Sequence, residues 1–148
     1  KINKNSHFLS ITCINQPLFE DSNLELFLPI AENIAMLDLG GTKISDAVFN
    51  KIKKLPNLTI LKLDNTEITG DQIEELTSLE HLKSINLAST NFNETNLNIF
   101  LNFKILEKVY LHDTKIKPGN TQAFIDKKIK IDFGNYDLPK IESDSIVY

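Results

Sequence analysis

The chain is poor in the residues and motifs that usually announce a specialised chemistry. Its 148 residues include one cysteine, Cys13, so neither an internal disulfide framework nor a cysteine-based zinc cluster can form. There is no basic surplus. The formal net charge of −4 is opposite in sign to what a general nucleic-acid binder needs, and no nucleic-acid partner is expected. No apolar run reaches the length of a membrane span, so we expect no direct membrane contact from this segment. No signal peptide is present either. Because the first residue is Lys1 and not Met, we expect a trimmed or mature segment, and the missing leader says nothing about compartment.

Catalytic signatures are equally scarce. Gly40-Gly41 is an isolated pair without the GK[ST] that completes a phosphate-cradling loop, and neither GxSxG nor HExxH occurs. His7, His81 and His112 are scattered, and His112-Asp113 is only an adjacent pair, whereas a metal site needs three or four converging ligands. The expectation is therefore no enzyme, no metal and no cofactor. The patterns Asn57-Leu58-Thr59 and Asn93-Glu94-Thr95 match the N-glycosylation acceptor, which would carry no weight if the source were bacterial. Lysines 51, 53 and 54, and lysines 127, 128 and 130, read as solvated faces.

What is present is a repeat. Apolar residues make up 41% and charged residues 24%, which suits one globular domain. The phrases LDLGGTKI, LKLDNTEI, INLASTNF and VYLHDTKI recur with Thr42, Thr66, Thr90 and Thr114 spaced by 24. Leu39, Leu63, Leu87 and Leu111 keep the same spacing, as do Leu37, Leu61, Ile85 and Val109. Ile44, Ile68, Phe92 and Ile116 form a further column. Downstream columns follow: Phe49, Ile73, Leu97; Ile52, Leu76, Phe100; Leu55, Leu79, Phe103; Leu58, Leu82, Leu106. Eight gapless columns over up to four copies are not accidental.

Each copy changes period midway. Leu61-Lys62-Leu63 alternates as a strand with one buried face. Ile73, Leu76, Leu79 and Leu82 then recur every three residues, which predicts a short helix on the same core. Ser45 or Asp46, Thr69 or Asp71, Asn93 and Asn120 stand where helix N-caps belong. A single unit of strand, corner, helix and return cannot bury its own stripe, so neighbouring units must stack.

On these phrases the chain resembles the leucine-rich repeat family, with Thr in the slot where the familiar form has Asn or Cys. Thr there is similar to bacterial variants, including short ribonuclease-inhibitor-like modules. The hydroxyl can donate and accept for corner backbone groups while its methyl packs against the next layer, so we expect the threonines to be scaffold. The resemblance implies an α/β solenoid of about 5–6 repeats, with parallel strands on a concave face and short helices on a convex one. It covers residues 8–136. Residues 8–34 form a degenerate first repeat in which Cys13 takes a core leucine column as an inert thiol. Residues 35–118 hold the regular repeats, 119–136 a capping repeat with Lys127 in an apolar column, and 137–148 a tail without repeat signal.

Strand alternation says where a ligand would sit. The residues flanking the buried columns point away from the core, and the resemblance implies that this face is concave. Candidate contact residues there are Met36 and Asp38, Ile60, Lys62 and Asp64, Asn86, and Lys108, Tyr110 and His112. The mixture of charge, two apolar side chains and one aromatic suits a protein partner better than a small molecule. Small Ser84 and Ala88 are expected to leave room around Tyr110. Two readings stand beside each other: a recognition module binding a protein through this face, or a structural appendage of a longer chain. For the second, the resemblance suggests a membrane-anchored or haem-bearing extracytoplasmic bacterial protein, although no CxxCH occurs here. Upstream spans or a CxxCH in the full-length product would favour the appendage.

The scatter of the histidines and the lone Cys13 give a direct expectation. Protein purified without an affinity tag carries no stoichiometric zinc, copper or iron by elemental analysis, and one equivalent of any of them refutes the reading.

Overall fold

A computed structural model describes residues 7–117, 119 and 121–134. Asn120, Pro118 and the tail read over 137–148 lie outside the described residues. Six strands form one sheet in chain order: β1 Leu9–Thr12, β2 Ile34–Asp38, β3 Ile60–Lys62, β4 Ser84–Asn86, β5 Lys108–Tyr110 and β6 Lys130–Asp132. Every neighbouring pair is parallel. The molecule is thus an α/β repeat solenoid. The register joins equivalent residues of successive units: Leu37 pairs with Leu61, Leu61 with Ile85, Ile85 with Val109, and Val109 with Ile131. These inward residues are fully buried from β2 to β5. Such a register brings each apolar column into a continuous stripe, which is why one unit cannot hold its shape alone.

The return segments are helical, but mostly of the tighter 3-10 kind. They span Asp21–Asn33, with a break at Ile30, then Asp46–Val48, Ile73–Ser78 and Glu94–Asn102. Among the described residues only α1 (Phe49–Ile52) and α2 (Gln122–Asp126) have α geometry. Apolar residues at every third position suit three residues per turn, as at Ile73 and Leu76, although Phe49 and Ile52 keep the same spacing in an α turn. Leu79 and Leu82, beyond the end of the 3-10 segment, are buried as well.

The corners follow one design. Thr42, Thr66, Thr90 and Thr114 each donate the hydroxyl to the carbonyl of the leucine three residues earlier, at 2.7, 2.6, 2.6 and 2.6 Å. Thr90 and Thr114 also accept, at 3.4 Å, from the amides of Phe92 and Ile116. The residue just before each of these threonines turns left-handed: Gly41, Asn65, Ser89 and Asp113 have φ of 67°, 54°, 54° and 54°. Asn15 does the same in the first unit at 55°. Small or Asx-type residues tolerate that conformation best.

Two expected caps behave as read. Ser45 accepts from the Ala47 amide at 3.3 Å and Asn93 from the Thr95 amide at 3.1 Å. Asp46 does something else, reaching across to the next unit. Its carboxylate accepts from the Thr69 hydroxyl at 2.6 Å and from the amides of Thr69 and Gly70. Asp21 repeats the motif one layer earlier on the amide and hydroxyl of Ser45. Two lysines of the second unit also bridge layers. Lys51 meets Glu25 at 3.3 Å and the Asp21 carbonyl at 2.9 Å, and Lys53 meets Glu75 at 3.0 Å.

The two ends differ. At the first unit Cys13 is half-buried, next to β1, the edge strand of the described sheet. Burial first, and then the negative charge of Asp38, push its thiol above the ordinary range, which disfavours the reactive thiolate. In the unit of β6 Lys127 is exposed and donates to the Leu101 carbonyl at 2.7 Å.

The corner bond sets a stability expectation. Thr66→Val keeps the shape and removes the donor to Leu63, and it lowers unfolding free energy by about 1–3 kcal/mol in urea denaturation. No loss in either Thr66→Val or Thr90→Val would contradict the scaffold role.

Candidate functional site

The outward face of the sheet is built by three columns that flank the buried ones. Met36, Ile60, Ser84, Lys108 and Lys130 are register partners in the first column, and Asp38, Lys62, Asn86, Tyr110 and Asp132 in the second. Beyond the strand ends follow Gly40, Asp64, Ala88, His112 and Gly134. The hydrogen-bond ladder continues into this third column: Asn15 donates to the Gly40 carbonyl, Gly41 to Asp64, Asn65 to Ala88 and Ser89 to His112, all at 2.8–2.9 Å. All nine sequence-derived contact candidates therefore share one platform.

They are not equally available. Met36, Ile60, Lys62, Asp64, Asn86 and Tyr110 are half-buried, and Lys108 and His112 are exposed. Asp38 is only 3% exposed and pairs with the Lys62 ammonium at 3.2 Å. It offers a partner little surface of its own and fixes where Lys62 stands. Its other oxygen accepts from the Gly40 amide at 3.2 Å. Ala88, expected to leave space beside Tyr110, is buried.

The second and third columns alternate in a way not read from the sequence. In β2, β4 and β6 a side chain turns back onto the amide two residues on: Asp38 to Gly40, Asn86 to Ala88 at 3.0 Å, and Asp132 to Gly134 at 2.9 Å. Each such turn ends on a small residue. The intervening units place Lys62 with Asp64, and Tyr110 with His112, in the equivalent positions. The small residues make room for these larger ones. A Cβ on Gly40 would stand 3.1 Å from the Asp64 carboxylate, and one on Gly134 would stand 2.3 Å from the His112 Cβ. Asp64 also accepts from the Asn86 amide group at 2.9 Å. The signal lay in the sequence as Gly, Ala and Gly at every second third-column position, but only the register gives it meaning.

The face encloses no chamber. A shallow cleft of about 40 Å³ lies between Lys108, Tyr110, Lys130 and Asp132. A roomier depression of about 500 Å³, open to solvent, lies away from the sheet face at the corners, lined by Thr69, Asp71, Asn91, Phe92, Asn93, Glu94 and Lys115. Among the described residues no three His, Cys, Asp or Glu side chains converge as metal ligands would. No helix among them is long and apolar enough to cross a membrane.

Because Asp38 is buried and Lys62 is its cation, Lys62→Met leaves a poorly compensated carboxylate. With the lysine side chain 39% exposed, solvent screens the pair, so we expect a stability loss of about 1 kcal/mol in denaturant titration. Lys62→Met together with Asp38→Asn recovers part of that loss. A cycle without coupling between the two positions would show that the pair does not hold this part of the face.

No family model matches the sequence, and no curated protein matches it either. Solved structures do match. The actin-binding site 2 of leiomodin-1 superposes with a TM-score of 0.61 at 16% identity, covering 81% of this chain and 78% of that one. An internalin from Listeria monocytogenes superposes with a TM-score of 0.57 at 22% identity, covering 71% of this chain and 30% of the internalin. At such identities the likeness concerns the fold, and it supports a solenoid of the leucine-rich-repeat type.

Proposed function

We propose that the chain is a non-catalytic protein-interaction module that engages its partner through the outward, concave face of the sheet. The observation that carries this reading is the continuity of that face. Parallel backbone bonding holds the second-column side chains Asp38, Lys62, Asn86, Tyr110 and Asp132 side by side on successive strands. Six strands about 4.8 Å apart give a platform of roughly 25–30 Å, wide enough for a segment of a partner and too open for a small substrate. The leiomodin-1 neighbour is named as an actin-binding site, which fits a protein-binding use of this fold. The ribonuclease-inhibitor-like subtype rests on the threonine slot alone.

Within the platform Tyr110 is the expected anchor. It is half-buried, so its ring is held in place yet still open to a partner. Tyrosine contributes a large contact area and a polar tip at low entropic cost. Once a partner has been isolated and purified, Tyr110→Ala should weaken its binding by about 2 kcal/mol in calorimetric titration. Lys53→Ala, on the opposite side and paired with Glu75, should leave the affinity unchanged. The reading fails if Lys62→Ala, Asn86→Ala and Tyr110→Ala combined, in a chain that keeps its circular dichroism spectrum, bind with unaltered affinity. A unit serving only as an appendage within a longer chain would give that result.

A further inference from the structure

Charge is distributed unevenly over the outward face. Across β2, β3 and β4 each charged side chain already has a partner within the face. Asp38 is paired with Lys62 at 3.2 Å, and Asp64 accepts from Asn86 at 2.9 Å. The first column there is neutral, with Met36, Ile60 and Ser84. At β5 and β6 the pattern changes. Lys108 and Lys130 are direct register partners on adjacent parallel strands, and both are exposed. Like charges facing each other across a ladder disfavour the pairing, so the register sets two lysines side by side where no pairing preference would put them. Among the described residues neither lysine has a carboxylate within ion-pairing distance, whereas Lys51, Lys53, Lys62, Lys83 and Lys104 all do. The cleft of about 40 Å³ between them is floored by Tyr110 and Asp132, room for a group the size of a carboxylate. Asp132 turns one oxygen to the Gly134 amide at 2.9 Å. Its single charge leaves the four lining residues one positive in a chain of net charge −4.

We propose that the cleft between Lys108 and Lys130 receives a side-chain carboxylate from an acidic segment of the protein partner, beside the Tyr110 ring. This rests on the reading that the outward face is the binding surface, and it specifies the chemistry bound there. Two ammonium groups on neighbouring strands supply several N–H donors to the two oxygens of one carboxylate. The Tyr110 hydroxyl adds a further donor. Nucleic acid is the poorer occupant, because a polyanion extending beyond the cleft would meet a chain of net negative charge.

The test uses the whole chain labelled with nitrogen-15 and a hexaglutamate peptide as probe. Saturable amide shifts are expected on β5 and β6, centred on Lys108, Tyr110 and Ile131. Raising the salt from about 20 mM to about 200 mM should weaken binding several-fold. Lys108→Glu with Lys130→Glu should lower the affinity by about tenfold or more. Lys108→Gln with Lys130→Gln, which removes the repulsion and keeps a polar though shorter side chain, should fold at least as well and still lose most of the binding. A hexalysine peptide should shift nothing there. Shifts confined to the helical side, or insensitivity to both double variants, overturn the proposal. An oligothymidylate of equal length that shifts the same amides more strongly overturns it too and assigns the cleft to nucleic acid. The two levels separate with a purified protein partner. If its affinity falls with Tyr110→Ala but not with the double Gln variant, the acidic chemistry is wrong and the interaction face stands. If neither change matters, the interaction face itself is wrong.

Discussion

The hydrogen bond from each corner threonine to a leucine carbonyl is the constraint on which the rest depends. A chain leaving a parallel strand must reverse within a few residues while its backbone groups point toward an apolar interior. Thr42, Thr66, Thr90 and Thr114 satisfy one of those carbonyls from within the corner, at 2.6–2.7 Å. The left-handed residue just before the threonine brings the hydroxyl to that carbonyl. Once the corner is fixed, the next segment starts at a set distance from the strand. The apolar columns of neighbouring units then coincide, and the outward side chains come into register. Had each corner turned differently, the sheet face would be a set of unrelated strand ends.

Much of this was legible because it is periodic. The columns of Leu37, Leu39 and Thr42 and their equivalents are local patterns copied at a fixed spacing, and the inward and outward faces follow from alternation alone. The helical kind on the far side was half legible. The three-residue spacing of Ile73, Leu76, Leu79 and Leu82 is visible, but it does not choose the winding: Phe49 and Ile52 share it in an α turn, and the 3-10 segment ends at Ser78. The left-handed corner position was obscured because Asn15, Gly41, Asn65, Ser89 and Asp113 share a backbone tendency and no single identity.

Other features could not be read because they join different layers. Asp46 has the sequence position of a helix cap, and its bonds to Thr69 and Gly70 arise only when two units stack. The Asp38–Lys62 pair is similar. Each residue alone reads as a surface charge, and the pairing register makes one of them a buried support for the other. For the candidate site, this means that membership of the face was legible from strand alternation, while the availability of each member was not. Lys108 and Lys130 each look ordinary in the sequence, and their juxtaposition depends on a last step shorter than the regular spacing.

The alternation on the outward face has a consequence for how such a chain can grow. The interior has a unit of one repeat, since every layer buries the same columns. The exterior has a unit of two. A turn-forming Asx beside a small residue is followed by a bulky pair, and Gly40, Ala88 and Gly134 give way to Asp64 and His112 between them. Loss of a single layer would leave the core seamless while setting two bulky pairs, or two small ones, against each other on the surface. Lengthening or shortening by two layers would disturb neither side. The heritable module of the outward surface is accordingly a doublet, although the folding module is a singlet.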